Sequence, residues 1–378
     1  MHIAIEAQSL LKTRTGVEHY LYHLLKAFAR LKTDDRFSAI YFSALTNGSV
    51  LPFAGEKVIE RRFVFPPGMV LSLLWKHFSF PPIDILMREA DVYHFPNFVI
   101  RPISHRRKVA LTVHDLAFER LPRFVEEKNL WFLKKFVGPS VRRANRIIAV
   151  SEFTRNELLN FYPKAEGKTE VIFHGVDEEF SRRYSPDKQK QVRSKYGLPP
   201  EYILAVGTLE PRKNLAGLLQ AYRLLVERGI DIRLVLCGMR GWKCEHLVKE
   251  ILSGNLSDLI VWTGYVDRAD LPLVYQGARE FIFASLYEGF GLPCLEAMAA
   301  GVPVVCSNTT SVPEVVGDAA VMVDPHQPES IAEGMEKVLT DRELSRELTR
   351  KGRARAETFT WEKTASRTLR LYQILHSE

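Results

Sequence analysis

Along the chain, short runs of β-branched and aliphatic residues alternate with longer stretches whose apolar residues recur at helical spacing. In the first half, His2 to Ile5, Ala39 to Phe42, Val92 to Phe95, Val109 to Val113, Arg146 to Val150 and Thr169 to Phe173 are predicted strands. A charged, irregular stretch from Asp177 to Pro200, containing Ser185-Pro186 and Pro199-Pro200, interrupts the pattern. It then restarts: Tyr202 to Val206, Arg233 to Cys237, Leu259 to Thr263, Glu280 to Ala284, Val302 to Cys306 and Ala320 to Val323 form a second predicted strand set, with helices over Arg212 to Arg228 and Glu329 to Thr340. Strands that alternate with helices imply parallel sheets covered on both faces. The prediction is an α/β protein of two facing Rossmann-like domains joined by a linker near residues 178–200. The domains would comprise 1–185 plus 362–378, and 186–361. Ligands of open parallel sheets bind beyond the carboxyl ends of the strands, so residues there are the functional candidates.

A length of 378 residues, with 46% hydrophobic and 26% charged residues, agrees with two globular domains. Met1-His-Ile-Ala-Ile has no basic region or apolar stretch of a secretory signal. The uncharged run Phe63 to Trp75 holds Pro66, Pro67 and Gly68 and falls short of the ~18 to 20 residues a bilayer requires. Cys237, Cys244, Cys294 and Cys306 form no CxxC, so neither a zinc site nor a disulfide framework is expected and a reducing, cytoplasmic setting fits. The net charge of +7 is unevenly spread: residues 1–190 hold 30 Lys+Arg against 21 Asp+Glu, the remainder 22 against 24. No zinc-finger, RRM or KH pattern accompanies the basic excess, which disfavours nucleic acid as a partner. Near Arg61, Arg62, Lys76, Arg88 and Arg106-Arg107-Lys108 lies the apolar stretch Met69 to Phe80, with Trp75 in it. That pairing suits peripheral contact with an anionic membrane surface; a solvated basic face beside a buried helix explains it equally well.

The strongest local signal is Glu288-Gly-Phe-Gly-Leu-Pro-Cys-Leu-Glu296, two acids eight residues apart, the first in a glycine-rich loop and the second on the helix that follows. Such a loop offers backbone N–H groups to an anion while each carboxylate accepts hydrogen bonds from hydroxyls, a layout matched by a diphosphate flanked by two polyols. A second motif, Val206-Gly-Thr-Leu-Glu-Pro-Arg-Lys-Asn214, follows the first strand of the second half. It places Arg212 and Lys213 at a strand end, where two cations could balance the charge that grows on a departing diphosphate. A merely solvated Arg-Lys pair at a helix start would oppose the helix dipole. In the first half, Arg14-Thr-Gly-Val17 precedes an amphipathic helix, where a lone glycine is more often a turn, and Val113-His114-Asp115 ends a strand, where a satisfied structural pair is an equal alternative.

The acidic motif strongly resembles the EX7E motif of retaining glycosyltransferases of the GT-B fold, family 4, and the likeness extends over nearly the whole chain. The resemblance implies the GT-B fold, with a C-terminal helix crossing back to the N-terminal domain; here Phe359-Thr-Trp361 and the helix to His376 match that segment. It assigns Glu288 to the transferred sugar, Glu296 to the nucleotide ribose and the amides of Phe290, Gly291 and Leu292 to the phosphates. Gly207, Thr208 and Val266 join the donor-binding set, as do Gly16 and Val17 of the N-terminal glycine loop. His114 matches the histidine beside the transferred sugar. Many members carry Arg directly after the glycine where this chain has Thr208, so Arg212 is expected to supply that guanidinium together with Lys213. Ser151-Glu-Phe-Thr154 looks like the family's S-x-x-T, although a Ser N-cap explains it without function. His174-Gly-Val-Asp177, in place of the commoner Asn-Gly-Val-Asp, is read as a turn near the hinge.

The E-P-R-K-N variant resembles a branch rich in bacterial mannosyltransferases of surface-polysaccharide assembly, which favours GDP-mannose as donor and a glycan or lipid-linked glycan as acceptor. Retention without an evident nucleophile implies front-face attack, with the leaving phosphate helping to deprotonate the acceptor. No D-x-D occurs in the sequence, so neither a divalent metal nor another cofactor is expected. The competing readings are a sugar-nucleotide epimerase of the same fold, a transferase using UDP- or ADP-glucose, a non-catalytic scaffold, and an NAD-dependent oxidoreductase. The last lacks a G-x-G-x-x-G after any predicted strand.

Overall fold

The computed structural model describes residues 1–11, 16–43, 49–64, 75 and 80–378. Arg14 of the N-terminal loop, and the apolar stretch Met69 to Phe80 apart from Trp75 and Phe80, lie outside the described residues. Two compact units are present: Met1–Arg120 with Glu127–Gly175 and Thr360–Glu378, and Leu121–Glu126 with Val176–Phe359. The chain divides at Gly175/Val176 and Phe359/Thr360, where the sequence reading placed 185/186 and 361/362.

The first unit holds strands β1 (His2–Glu6), β2 (Arg36–Phe42), β3 (Val58–Phe63), β4 (Val92–Phe95), β5 (Lys108–Val113), β6 (Arg146–Ala149) and β7 (Thr169–Val171). They form one sheet of order β3-β2-β1-β4-β5-β6-β7, every pair parallel. The second unit repeats the plan with β8 (Tyr202–Val206), β9 (Arg233–Cys237), β10 (Ile260–Gly264), β11 (Glu280–Phe283), β12 (Val304–Ser307) and β13 (Ala320–Val323), in the order β10-β9-β8-β11-β12-β13. These are two Rossmann-like halves of the GT-B type.

Strand β3 is absent from the sequence reading. Its segment, Val-Ile-Glu-Arg-Arg-Phe, lies at a sheet edge and is only partly buried, so it carries charges where a central strand would be apolar. Glu60 is satisfied there, accepting from Tyr41 Oη at 2.7 Å. The supposedly irregular stretch after Asp177 also needs correction, because Pro186–Lys195 is a helix capped by Ser185. Val192 is its one buried residue, so no apolar stripe announces it, and Pro186 marks the first helical position rather than a break.

Helix Gly16–Arg30 buries Leu21, Leu24, Leu25 and Phe28 at the i, i+3, i+4, i+7 spacing of one stripe. The C-terminal helix Trp361–Ser377 adds Trp361, Ala365, Leu369, Tyr372 and Leu375 to the same core, so the end of the chain completes the first unit. A buried polar chain fixes its register. His94 is hydrogen-bonded through Nδ1 to Tyr372 Oη at 2.7 Å and through Nε2 to Thr112 Oγ1 at 2.8 Å. Burial pushes His94 down to about 3 and keeps the ring neutral. Trp75 is buried, its Nε1 donating to Pro81 O at 2.8 Å beneath the Arg101 guanidinium. Among the described residues, no helix is long and apolar enough to cross a membrane.

Where the chain leaves and re-enters the first unit, the two segments run side by side, with Val176 N donating to Phe359 O at 3.1 Å. Gly175 sits so close to the returning segment that a Cβ would overlap the backbone of Thr360 and Trp361. The turn predicted at His174-Gly-Val-Asp177 is therefore a close crossing, and its glycine is a steric requirement. Because backbone cannot step aside as a side chain can, Gly175→Ala should lower unfolding stability by about 3 kcal/mol. Thermal or urea unfolding measures this; a change within about 0.5 kcal/mol, typical of an unconstrained surface site, would contradict it.

Candidate active site

In the second unit the carboxyl ends of three neighbouring strands are bare backbone. Gly207, Gly238 and Gly264 close β8, β9 and β10 with φ of 152°, 156° and 66°. Gly207 N donates to Cys237 O and Gly238 N to Gly264 O, each at 2.9 Å, and a Cβ on Gly238 would overlap the Gly207 carbonyl. Thr208 follows, exposed, and then Leu209 and Glu210 turn inward. Pro211–Lys213 makes a single 3-10 turn that Asn214 ends in the left-handed region (φ 56°), and the helix begins only at Leu215. The helix predicted from Arg212 thus starts three residues later. Arg212 and Lys213 stand ahead of its first turn, which lessens their conflict with the dipole.

Both cations converge on Glu288. Arg212 Nη1 donates to Glu288 Oε2 at 2.9 Å and to the Tyr287 carbonyl at 2.8 Å. Arg212 Nε and Nη2 donate to Glu210 Oε1 at 3.1 and 2.7 Å. Lys213 Nζ donates to Glu288 Oε1 at 2.7 Å and lies 5.0 Å from the centre of the Phe283 ring. The cluster joins two cations to two carboxylates and is neutral overall. Burial by itself would raise the Glu288 carboxyl, but the Arg212 and Lys213 charges outweigh it and hold the group down at about 2.

The loop that carries Glu288 is tied on every side. Leu286 N donates to Arg212 O at 2.9 Å, Glu288 N to Thr310 Oγ1 at 3.2 Å, and Ser311 Oγ to Glu288 O at 2.9 Å. Phe290 is buried with its ring 6.1 Å from that of Phe359. Gly291, at φ 103°, begins the helix Leu292–Ala300 without a side-chain cap. Glu296 lies on the second turn of that helix, buried, and its Oε2 accepts from Tyr275 Oη at 3.0 Å. Burial raises Glu296 to about 7 despite the opposing Arg268 charge and the Tyr275 bond, Arg268 itself being paired with Asp177 at 3.7 Å. Val266 is buried in the turn after β10.

The structure therefore gathers Gly207, Arg212, Lys213 and Glu288, whereas Glu296 is engaged elsewhere, by Tyr275. Gly16, Val17 and His114 belong to the first unit, with Gly16 exposed and Val17 half-buried. His114 is buried, its Nε2 bonded to Pro96 O at 2.7 Å, so Nε2 carries the proton and Nδ1 is left as the acceptor. Burial lowers its pKa. Asp115, the partner in the alternative reading of His114 as half of a structural pair, accepts through Oδ1 from Ala117 N at 3.1 Å. His174, read only as a turn, has its ring 5.7 Å from His114 and stacks on Tyr20 at 4.8 Å. Ser151 is the N-cap foreseen, accepting from Thr154 N at 2.9 Å. Sequence reasoning missed Glu210, Tyr275 and Arg268; of these only Glu210 lay inside a motif.

A folded carboxyl that titrates above its ordinary value adds stability fully present below that ordinary value and lost as pH rises. For Glu296 the window runs from 4.5 to about 7, a loss on the order of 3 kcal/mol. Glu296→Gln removes the titrating group. The unfolding free energy of wild type relative to this variant should therefore fall across that window and level off above it. Urea unfolding at fixed pH reads this directly; a difference that does not change with pH would mean the carboxyl ionises normally.

Comparison with known proteins accords with this geometry. Residues 14–180 match the family model "Glycosyltransferase Family 4" and residues 188–355 match "Glycosyl transferases group 1". The O-antigen chain mannosyltransferase B of Escherichia coli is 38% identical over 287 residues, 75% of this chain and 74% of that protein. Among solved structures, the sucrose-phosphate synthase of Thermosynechococcus elongatus superimposes with a TM-score of 0.77 at 19% identity, covering 100% of this chain and 99% of that one. Anabaena HepE in complex with UDP-glucose gives a TM-score of 0.74 at 18% identity, covering 100% of both chains. Two family models across the two halves and a relative matched over three quarters of its length show that this chain belongs to the family 4, group 1 glycosyltransferases.

Proposed function

We propose that this glycosyltransferase is a retaining, metal-independent mannosyltransferase that takes mannose from GDP-mannose and adds it to a glycan or lipid-linked glycan in polysaccharide assembly. The observation that carries the reading is the buried Glu288 carboxylate, held ionised by Arg212 and Lys213 at the carboxyl end of a parallel sheet. An ionised, dry carboxylate is a strong acceptor for a sugar hydroxyl, and cations beside it can balance the charge developing on a departing diphosphate. Support for mannose is the E-P-R-K-N sequence and the name of the Escherichia coli relative, an O-antigen chain mannosyltransferase.

In this scheme the amides of Phe290, Gly291 and Leu292 at the start of a helix take phosphate oxygens, and Glu296 accepts from the ribose. Gly207 and the exposed Thr208 leave room for the donor to approach the backbone, with Val266 lining the nucleotide side and Gly16 and Val17 the diphosphate. Neutral His114, its Nδ1 an acceptor, serves the transferred sugar. The leaving phosphate takes the acceptor's proton, so no side chain need act as nucleophile. The absence of a D-x-D sequence supports transfer without a divalent ion. A lipid-linked acceptor would draw the basic first half to an anionic membrane surface on the cytoplasmic side.

Thermal-shift measurement against GDP-, UDP- and ADP-sugars should single out GDP-mannose, since a ligand at 100 times its Kd stabilises the fold by about 2.7 kcal/mol. Stabilisation by UDP- or ADP-glucose instead would transfer the same scheme to a glucosyl donor, and sugar interconversion without an acceptor would point to the epimerase. Transfer should persist in excess EDTA, with the product anomer matching that of the donor by NMR. Lys213→Ala should raise the barrier by about 2 to 4 kcal/mol, by analogy with loss of an oxyanion donor; a fully active variant would remove the residue from the mechanism.

A further inference from the structure

The two cations of the cluster are held in very different ways. Arg212 spends its guanidinium on two loops at once: Nε and Nη2 on Glu210 Oε1, Nη1 on Tyr287 O and Glu288 Oε2. Its own carbonyl accepts from Leu286 N. Side chain and main chain of one residue thus secure the consecutive positions 286, 287 and 288. Glu210, which orients the guanidinium, is 4% exposed and lies in the same 3-10 entry as the arginine. Turning Arg212 toward an incoming phosphate would strip a cation from two buried carboxylates, which is strongly unfavourable.

Lys213 is different in kind. It is a single ammonium on a flexible stem, bonded to Glu288 Oε1 and resting against the Phe283 ring. Its movement toward a phosphate oxygen breaks one ion pair and uncovers Oε1, while Oε2 remains bonded to Arg212. The carboxylate keeps its Arg212 ion pair and exposes an oxygen to a sugar hydroxyl.

We infer that Glu210 is a positioning residue, fixing Arg212 as the strut of the Glu288 loop so that Lys213 alone exchanges Glu288 for the diphosphate. The inference rests on the sugar-transfer reading above. It departs from the expectation that Arg212 supplies the phosphate-binding guanidinium.

The test separates phosphate binding from sugar handling in the full-length protein, with GDP as probe by calorimetry and with GDP release from GDP-mannose as turnover. Lys213→Ala should weaken GDP binding at least tenfold. Glu210→Ala should leave GDP affinity unweakened, because removing a carboxylate makes the cluster more positive, yet slow GDP release from GDP-mannose at least tenfold through kcat. Glu210→Gln, which keeps an oxygen acceptor for Arg212, should restore most of that turnover. If Glu210→Ala weakens GDP as much as Lys213→Ala does, or leaves turnover within twofold of wild type, the division of labour is wrong. Should Glu210→Ala fail to unfold cooperatively, Arg212→Lys carries the same expectations and the same refutation. A wild-type protein that binds neither GDP nor GDP-mannose would refute the mannosyl reading itself, an outcome distinct from a wild type that binds both while Glu210→Ala behaves like Lys213→Ala.

Discussion

A carboxylate removed from water must be neutralised, protonated or avoided, and the second unit is arranged around the first of these at Glu288. Its charge is met by Arg212 on one oxygen and Lys213 on the other, and neither cation is near it in sequence. The pairing requires the loop after β8 to meet the loop after β11, and it does so because those strands are neighbours in the sheet. The strand order that brings β8 beside β11 is also where the order of the sheet changes direction, the place at which open parallel sheets bind ligands. The electrostatic requirement and the topological one select the same spot.

The surrounding glycines serve that meeting. Gly238 cannot carry a side chain without striking the Gly207 carbonyl, and a Cβ on Gly207 would lie 3.4 Å from Lys213 Cε. Taken singly, each is an ordinary turn glycine. Together they let three strand ends pack edge to edge, so that the lysine stem can run across β8 to reach the acid.

How far the sequence could be read follows from what each feature needs. The central strands were legible because burial on both faces forces continuous apolar runs, and β3 was not, because an edge strand is free to be charged. Helix Pro186–Lys195 escaped notice since it buries only Val192. At the site, the two motifs were visible, and so was the need for cations opposite a diphosphate; Glu210, which meets Arg212 inside one of those motifs, was not singled out. The identity of each partner was not legible. Which cation stays with Glu288 depends on the Glu210 anchor and on a carbonyl at Tyr287, and a carbonyl carries no residue signature at all. Tyr275, whose hydroxyl meets Glu296 from another helix, lies in no motif that could have flagged it.

The two acids of the motif, eight residues apart, end in opposite electrostatic states. Glu288, with cations on both oxygens, is held near 2; Glu296, met by the Tyr275 phenol and the charge of Arg268, rises to about 7. A group locked as an anion offers fixed acceptors, which suits the transferred sugar that the proposed scheme gives to Glu288. A group poised near neutrality can accept or donate, which suits the ribose hydroxyls that the proposed scheme gives to Glu296. The neutral sum of the Glu210, Arg212, Lys213 and Glu288 cluster points the same way. A strongly positive site would attract any polyphosphate, whereas a neutral one gains from a diphosphate only when its lysine can change partners, and the carboxylate it leaves behind is best satisfied when a sugar is attached. On the proposed scheme, recognition of the phosphate is thereby tied to recognition of the group to be transferred.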